Sequence, residues 1–268
     1  MLSFESWGHH DEAQHLKYYM HLSSTSAPII STSSSITSSA SASSPSASSA
    51  SPPLDLEAIE KRISELEAKQ LKSPQTPGRR GVADPNVRRV YDAVKSNKQY
   101  SSVWKWVPKD YYKWDLPKRA SQLNCTVPQL CKGMLMENKS WKDTSSPKLN
   151  ARFYLVVVQY CSSIDAKRLE SEVRTLLPAK ERLGAKDYSF SVAKESDSDS
   201  LTGFKHNSVS PLGMLTDIPV IVDRAISELE RPFFYMGGGH VDLKLGMSVM
   251  DFLKGGATFV LDIGVGGK

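Results

Sequence analysis

Between Gly203 and Gly213 the chain reads GFKHNSVSPLG. Glycine and proline fix backbone paths that other residues avoid, while histidine and asparagine offer polar contacts. Hydrolysis of an ester by water needs a positioned carbonyl and donors aimed at the developing oxyanion. Backbone N–H groups in a loop shaped by Gly203, Pro211 and Gly213 supply such donors, and one lysine adds positive charge. An inert loop leading into the apolar run IPVIV (218–222) has the same composition, and composition alone favours it. GGGH (237–240) lies between two strand signals and reads as a tight turn. The terminal GVGGK looks like a phosphate loop, but no helix follows Lys268 in this sequence to receive the phosphate. No GxSxG, HExxH or Ser/His/Asp order stands out, and Cys125, Cys131 and Cys161 form no CxxC. No metal site and no cofactor are expected.

The elements that must position these residues come after a biased leader. Residues 23–53 are almost entirely Ser, Ala, Thr and Pro, too polar to offset chain entropy. Residues 1–53 therefore read as a disordered tail, with His9, His10, His15 and His21 incidental to it. In 54–72, Leu56, Ile59, Ile63 and Leu66 fall at helical spacing, an amphipathic helix through which the chain could self-associate. Residues 73–81 read as a linker, and 82–268 as the folded part. Asp84 and Pro85 form a cap and first turn for a helix through RRVYDAV. LPKRASQLN and VPQLCKG read as short helices and GMLME as a strand. FYLVVVQY (153–160) is the strongest strand signal. A helix follows at 164–177, strands at 187–193, 218–222, 232–236, 240–245 and 257–263, and a helix at 248–254. No regular βαβ repeat appears, so the fold class is α+β, a single domain around a mixed sheet.

The sequence is 24% charged and 40% hydrophobic with a net charge of +5, but the charge is uneven. Residues 82–151 carry 13 Lys and Arg against 6 Asp and Glu, whereas 152–268 carry 14 against 15. A local basic field attracts polyanions such as nucleic acid; a solvated lysine face has the same signature. No apolar run approaches the ~18 residues of a membrane span, and the N-terminus has no apolar signal region. Glu5, Asp11 and Glu12 argue against a transit peptide, and an odd, sparse cysteine count suits a reducing compartment. The cytoplasm is the expected location.

Taken in order, QLCKGMLMEN, the LVVVQY strand, LTGFKHNSVSPLGMLTDIPVIVD and FFYMGGGHVDLKLG resemble the YbaK family. This is the group of aminoacyl-tRNA deacylases related to the editing insertion of bacterial prolyl-tRNA synthetase. The likeness runs from about Val82 to the last strand and is closest to a freestanding eukaryotic branch. It implies that Lys132, in the run Cys131-Lys132-Gly133-Met134, matches the family lysine and holds the aminoacyl or terminal-adenosine end of the substrate. It implies a substrate loop of Gly203, His206, Asn207, Ser208, Val209, Ser210, Pro211 and Gly213. Gly237, Gly238 and Gly239 would form a second glycine-rich loop beside the pocket.

Asn207 stands where the family has glycine, and asparagine adopts positive φ more readily than most residues. His240 lies where relatives carry an acid and has no role assigned. The resemblance also gives the basic segment a partner, aminoacyl-tRNA, and through it an aminoacyl-tRNA synthetase. Lys105, Lys109, Lys113, Lys118 and Arg119 would meet acceptor-stem phosphates, and Trp104, Trp106 and Trp114 would stack on unpaired bases or fill a core. The implied activity is trans-acting hydrolysis of a small amino acid from a mischarged tRNA. The alternative, favoured by Asn207, is an inactive RNA-binding or synthetase-associated module of the same fold.

Overall fold

The computed structural model describes residues 75–144 and 149–266, all of which fall in one unit, Asp55–Lys268. The expected tail 1–53 and helix 54–72 lie outside the described residues. In chain order the first elements are α1 (Gly78–Ala83), α2 (Pro85–Ser96), β1 (Val103–Trp106) and α3 (Leu116–Leu123). Next come β2 (Cys131–Asn138), β3 (Phe153–Gln159), β4 (Ser163–Ile164), α4 (Ala166–Leu176), β5 (Phe190–Val192) and α5 (Glu195–Thr202). The last are β6 (Val220–Asp223), α6 (Arg224–Ser227), β7 (Phe233–Gly237), β8 (Leu243–Ser248), α7 (Val249–Gly255), β9 (Phe259–Leu261) and β10 (Gly264–Val265).

The apolar run FYLVVVQ is β3, the middle strand of a five-stranded sheet of order β5-β2-β3-β6-β9. Tyr154 through Val158 are fully buried. The strand is covered on both faces, which is why its sequence shows no polar alternation. β2 runs antiparallel to it, with Lys132 opposite Val158 and Met136 opposite Tyr154, while β6 runs parallel on its other side. The sheet is therefore mixed, and the fold is α+β. Leu169 and Val173 of α4 cover one face, against Tyr154, Val156, Val158 and Ile221. A second sheet, β1-β8-β7, joins the first where Leu130 bridges Tyr235. Val107, Tyr111, Leu123 and Tyr235 share a second cluster.

Several local readings differ from the structure. VPQLCKG is one 3-10 turn, Val127–Gln129, closed because the Thr126 N–H donates to Gln129 Oε1 at 2.8 Å; the strand then starts at Cys131. HVDLKL begins as a turn, since the Asp242 N–H donates to His240 Nδ1 at 3.0 Å, and pairing starts at Leu243. Part of the expected linker is structured: α1 begins at Gly78, and the carbonyls of Gln75 and Pro77 accept the indole N–H groups of Trp104 and Trp106. β1 and α5 gave no clear sequence signal, β1 because its tryptophans and lysine do not alternate and α5 because ESDSDSLT is nearly all polar.

The start of α2 matches its sequence signature. Asp84 accepts from the N–H groups of Asn86 at 2.9 Å and Val87 at 3.1 Å, and Val87, Val90 and Val94 are buried along one face. Asp84→Ala removes this cap and is expected to cost ~1 kcal/mol, whereas Asp84→Asn retains most of it. Urea unfolding of the two variants checks this, and equal losses would contradict it.

Candidate active site

β5 pairs with β2 only at Met136–Asn138, and the chain then turns into α5. The Ala193 N–H still closes onto the Leu135 carbonyl, so the edge of β2 from Cys131 to Met134 is left open, and a cavity of about 350 Å³ lies along it. Lys132 is half-buried in this wall, with Nζ 5.7 Å from the centre of the Tyr160 ring, within cation–π range. Met134, Val192, Ala193 and Val209 give the cavity an apolar floor, and Glu195 and Asp199 of α5 line its other side. Asp199 pairs with Lys205 at 2.5 Å.

The loop after α5 closes the pocket. Gly203 ends the helix in the left-handed region at φ 74°, and Asn207 is left-handed too, at φ 63°. Asparagine thus takes the backbone conformation a glycine would supply. The Tyr112 hydroxyl donates to the Asn207 carbonyl at 2.7 Å. The Ser208 N–H is engaged by the Lys205 carbonyl. Among the described residues, the N–H groups of His206, Asn207 and Val209, all cavity-lining residues, donate to no protein acceptor. The loop beside the pocket thereby keeps backbone donors free for a ligand oxygen, the kind of group that stabilises a developing oxyanion.

Two glycine contacts set the loop's place. A Cβ on Gly237 would sit 2.1 Å from the Val209 carbonyl oxygen, so only glycine lets β7 approach the loop this closely. Gly213, at φ 70°, touches the α2 backbone at Arg89. The Arg89 side chain completes the clasp, donating from Nε to the Gly213 carbonyl and from Nη2 to the Gly203 carbonyl, each at 3.1 Å.

Of the residues expected to bind substrate, Lys132, His206, Asn207, Val209 and Gly237 meet at the cavity. Gly203 caps α5, Ser208 and Ser210 are buried behind the loop, and Gly238 and Gly239 brace it, the Gly239 N–H donating to the Ser208 carbonyl at 3.2 Å. Pro211 and Gly213 line a different cavity, of about 370 Å³. Among the cations expected to contact phosphate, Lys109, Lys113 and Lys118 are exposed, and Lys118 lies 4.3 Å over the Trp114 ring. Two others are turned inward. Lys105 Nζ donates to the Leu123 carbonyl at 2.5 Å, and Arg119 donates to the carbonyls of Trp114 and Tyr112. A cation that meets the carbonyls ending a helix gains a favourable partner without leaving the protein. Trp104, Trp106 and Trp114 are half-buried.

Sequence reasoning missed Arg89, Tyr112, Tyr160 and Lys244. The last is 5% exposed in β8, flanked by the inward-facing Leu243 and Leu245, and its Nζ donates to Tyr112 Oη at 2.5 Å and to the Val241 carbonyl at 3.1 Å. The one available signal was a lysine inside an apolar strand. Among the described residues, no group of three His, Cys, Asp or Glu side chains is placed to hold a metal, and no helix is long and apolar enough to cross a membrane.

Burial pushes the Lys244 ammonium down to about 7, with Asp242 opposing that shift and Arg119 adding to it. Between that value and the ordinary lysine pKa the unfolded chain binds more protons than the folded one, so stability rises with pH. Relative to Lys244→Met, the wild type should gain about 1.4 kcal/mol per pH unit from pH ~7 to ~10 and show a flat difference below. Urea unfolding of both proteins across that range tests this; a flat difference throughout would contradict it.

The sequence matches the aminoacyl-tRNA editing domain family over residues 115–254. No curated protein sequence matches the chain. Among solved structures, a candidate trans-editing enzyme for prolyl tRNA synthetase is similar at 19% identity and a TM-score of 0.51, over 68% of this chain and 99% of that one. A scaffold protein from computational epitope backbone grafting is similar at 17% identity and a TM-score of 0.51, with the same coverage. At these identities the two structures share the fold alone. With just over half its length matched, and the Lys132 strand and the left-handed loop both inside that match, the chain belongs to the aminoacyl-tRNA editing domain family.

Proposed function

We propose that this protein is a trans-acting aminoacyl-tRNA deacylase that removes a wrongly attached small amino acid. The observation that carries the reading is the unengaged amides of Asn207 and Val209, in a loop that lines the same cavity as Lys132. The substrate ester enters along the open edge of β2. Lys132 holds the aminoacyl-adenosine end by its charge, and the carbonyl oxygen points at the two amides. Water attacks the carbonyl carbon, the oxyanion takes the amide hydrogen bonds, and the bond to the ribose oxygen breaks with that oxygen protonated. The products are a free amino acid and uncharged tRNA. A cavity of about 350 Å³, shared by the adenosine end and the amino acid, favours a small side chain. Such editing answers the limited discrimination of binding, where one methylene is worth only ~1–3 kcal/mol.

At φ 63° Asn207 takes the left-handed conformation a glycine would supply, which supports the active reading over an inactive RNA-binding module. The exposed lysines 109, 113 and 118 beside Trp114 fit the acceptor stem of the tRNA. A synthetase that makes the error is the expected partner, and the cytoplasm the expected place.

Incubation with tRNAs charged with alanine, serine or cysteine tests the activity. Wild type should release at least one of them, and folded Lys132→Met should lose ~2–4 kcal/mol of transition-state stabilisation. Release at the uncatalysed rate by wild type would contradict the reading, and undiminished turnover by the variant would remove Lys132 from it. Replacing Lys109, Lys113 and Lys118 together with Gln should weaken tRNA binding and flatten its salt dependence by ~0.7–0.9 log units per lost phosphate contact. An unchanged salt slope would make these lysines a solvated face only.

A further inference from the structure

The least expected group near the site is Lys244. A lysine side chain almost entirely removed from water is costly unless its amine has partners, and here the partners lead towards the pocket. Nζ reaches Tyr112 Oη at 2.5 Å, and Oη reaches the Asn207 carbonyl at 2.7 Å. The same amine lies 4.4 Å from the centre of the Tyr112 ring. Arg119 holds the other side of that tyrosine, donating to the Tyr112 carbonyl and lying 5.2 Å from its ring centre. Tyr112 lines the pocket beside Tyr160, and the two rings and Lys244 also border a void of about 10 Å³ immediately behind it. Tyr112 lies ahead of the family match, which begins at residue 115, so the chain's own N-terminal segment supplies this contact.

We propose that Lys244 and Tyr112 are positioning residues for the deacylation, forming a relay from the second sheet to the backbone of the substrate loop. This rests on the deacylase reading of the same pocket. A hydroxyl has a single proton; once the Lys244 amine occupies an acceptor site on Oη, that proton is directed at the Asn207 carbonyl. Fixing the carbonyl fixes the peptide plane that follows residue 207. That plane orients the chain into Val209, which lines the pocket and whose amide is unengaged. A left-handed asparagine is less favourable than a left-handed glycine. The loop, carrying asparagine at 207, therefore has a use for an added restraint at that carbonyl. Neither residue touches the reacting atoms in this scheme; both act through the loop.

The test compares wild type with Tyr112→Phe, Lys244→Met and the double variant. Tyr112→Phe keeps the ring and deletes only the hydroxyl. Amide hydrogen exchange of Ser208, whose N–H shares the peptide plane of the Asn207 carbonyl and bonds the Lys205 carbonyl, should accelerate in all three variants, by about tenfold for the loss of one hydrogen bond, while exchange in β3 stays as in wild type. On the charged tRNA that wild type hydrolyses, kcat should fall about tenfold in each single variant, with KM within about twofold. The double variant should be no slower than the slower single, because both substitutions break one relay. Unchanged exchange at Ser208 in folded Tyr112→Phe overturns the proposal, as do losses that multiply in the double variant. Exchange is read without substrate. If wild type hydrolyses none of the charged tRNAs, the deacylase reading fails while loop exchange still decides whether the relay exists.

Discussion

Arg89 fixes where the substrate loop sits. Its guanidinium presents donors in a rigid fork, and here Nε and Nη2 take the carbonyls of Gly213 and Gly203, the two ends of the loop. The guanidinium also lies 5.0 Å from the centre of the Phe204 ring. The backbone of α2 adds a second constraint. Gly213 approaches it at Arg89 and Gly239 at Asn86, both at positive φ and with no room for a Cβ at ordinary contact distance. One helix thus references both glycine-rich segments. Because α2 is capped by Asp84 and buried through Val87, Val90 and Val94, the loops inherit the rigidity of the core. Hydrogen bonds from a charged donor are about twice as strong as neutral ones, so the clasp restrains more than a loop of serines and glycines could restrain by itself.

Two lysines near the pocket do opposite physical work. Lys132, on the open edge of β2, keeps access to the cavity with its ammonium over Tyr160, where a substrate's charge can meet it. Lys244 is enclosed by Tyr111, Tyr112 and the Val241 carbonyl just ahead of β8, and burial lowers the pKa of its ammonium. The same burial disfavours ionisation of the surrounding tyrosines and raises Tyr111, Tyr112 and Tyr160 above the usual phenol range. Apart from the Arg119 guanidinium over the tyrosine rings, the groups behind the pocket are thus biased towards their neutral forms, and the formal positive charge at the cavity wall is concentrated on Lys132.

The sequence carried the parts of this arrangement that depend on local rules. FYLVVVQY was the strongest strand signal, Asp84 and Pro85 marked a helix start, and an asparagine in place of glycine pointed to a left-handed residue at 207. Motif order singled out Lys132, although its segment VPQLCKG read as a short helix and the strand in fact begins at Cys131. What stayed hidden depends on contacts between distant residues. Nothing near Arg89 says that its partners lie more than a hundred residues away. Lys105 and Arg119 read as exposed cations because composition gives their charge and not their direction, and their long stems let them turn back to main-chain carbonyls. Lys244 sits in an alternating run in which a lysine would normally face water; in β8 both faces are covered, so it does not. The tryptophans could have stacked on bases or packed in a core. Trp104 and Trp106 instead hold the segment leading into α1 through their indole N–H groups.

The central claim is that the Asn207 and Val209 amides receive the carbonyl oxygen of an aminoacyl ester held by Lys132. The direct measurement is a titration of the isotopically labelled protein with adenosine bearing alanine through a non-hydrolysable 3′-amide, followed by backbone amide NMR. The account expects the largest shifts at Asn207 and Val209, with smaller ones along Cys131 to Leu135, and expects Lys132→Met to abolish them. Shifts confined to the cavity between the 211–218 segment and α7, with 207–209 unmoved, would contradict it.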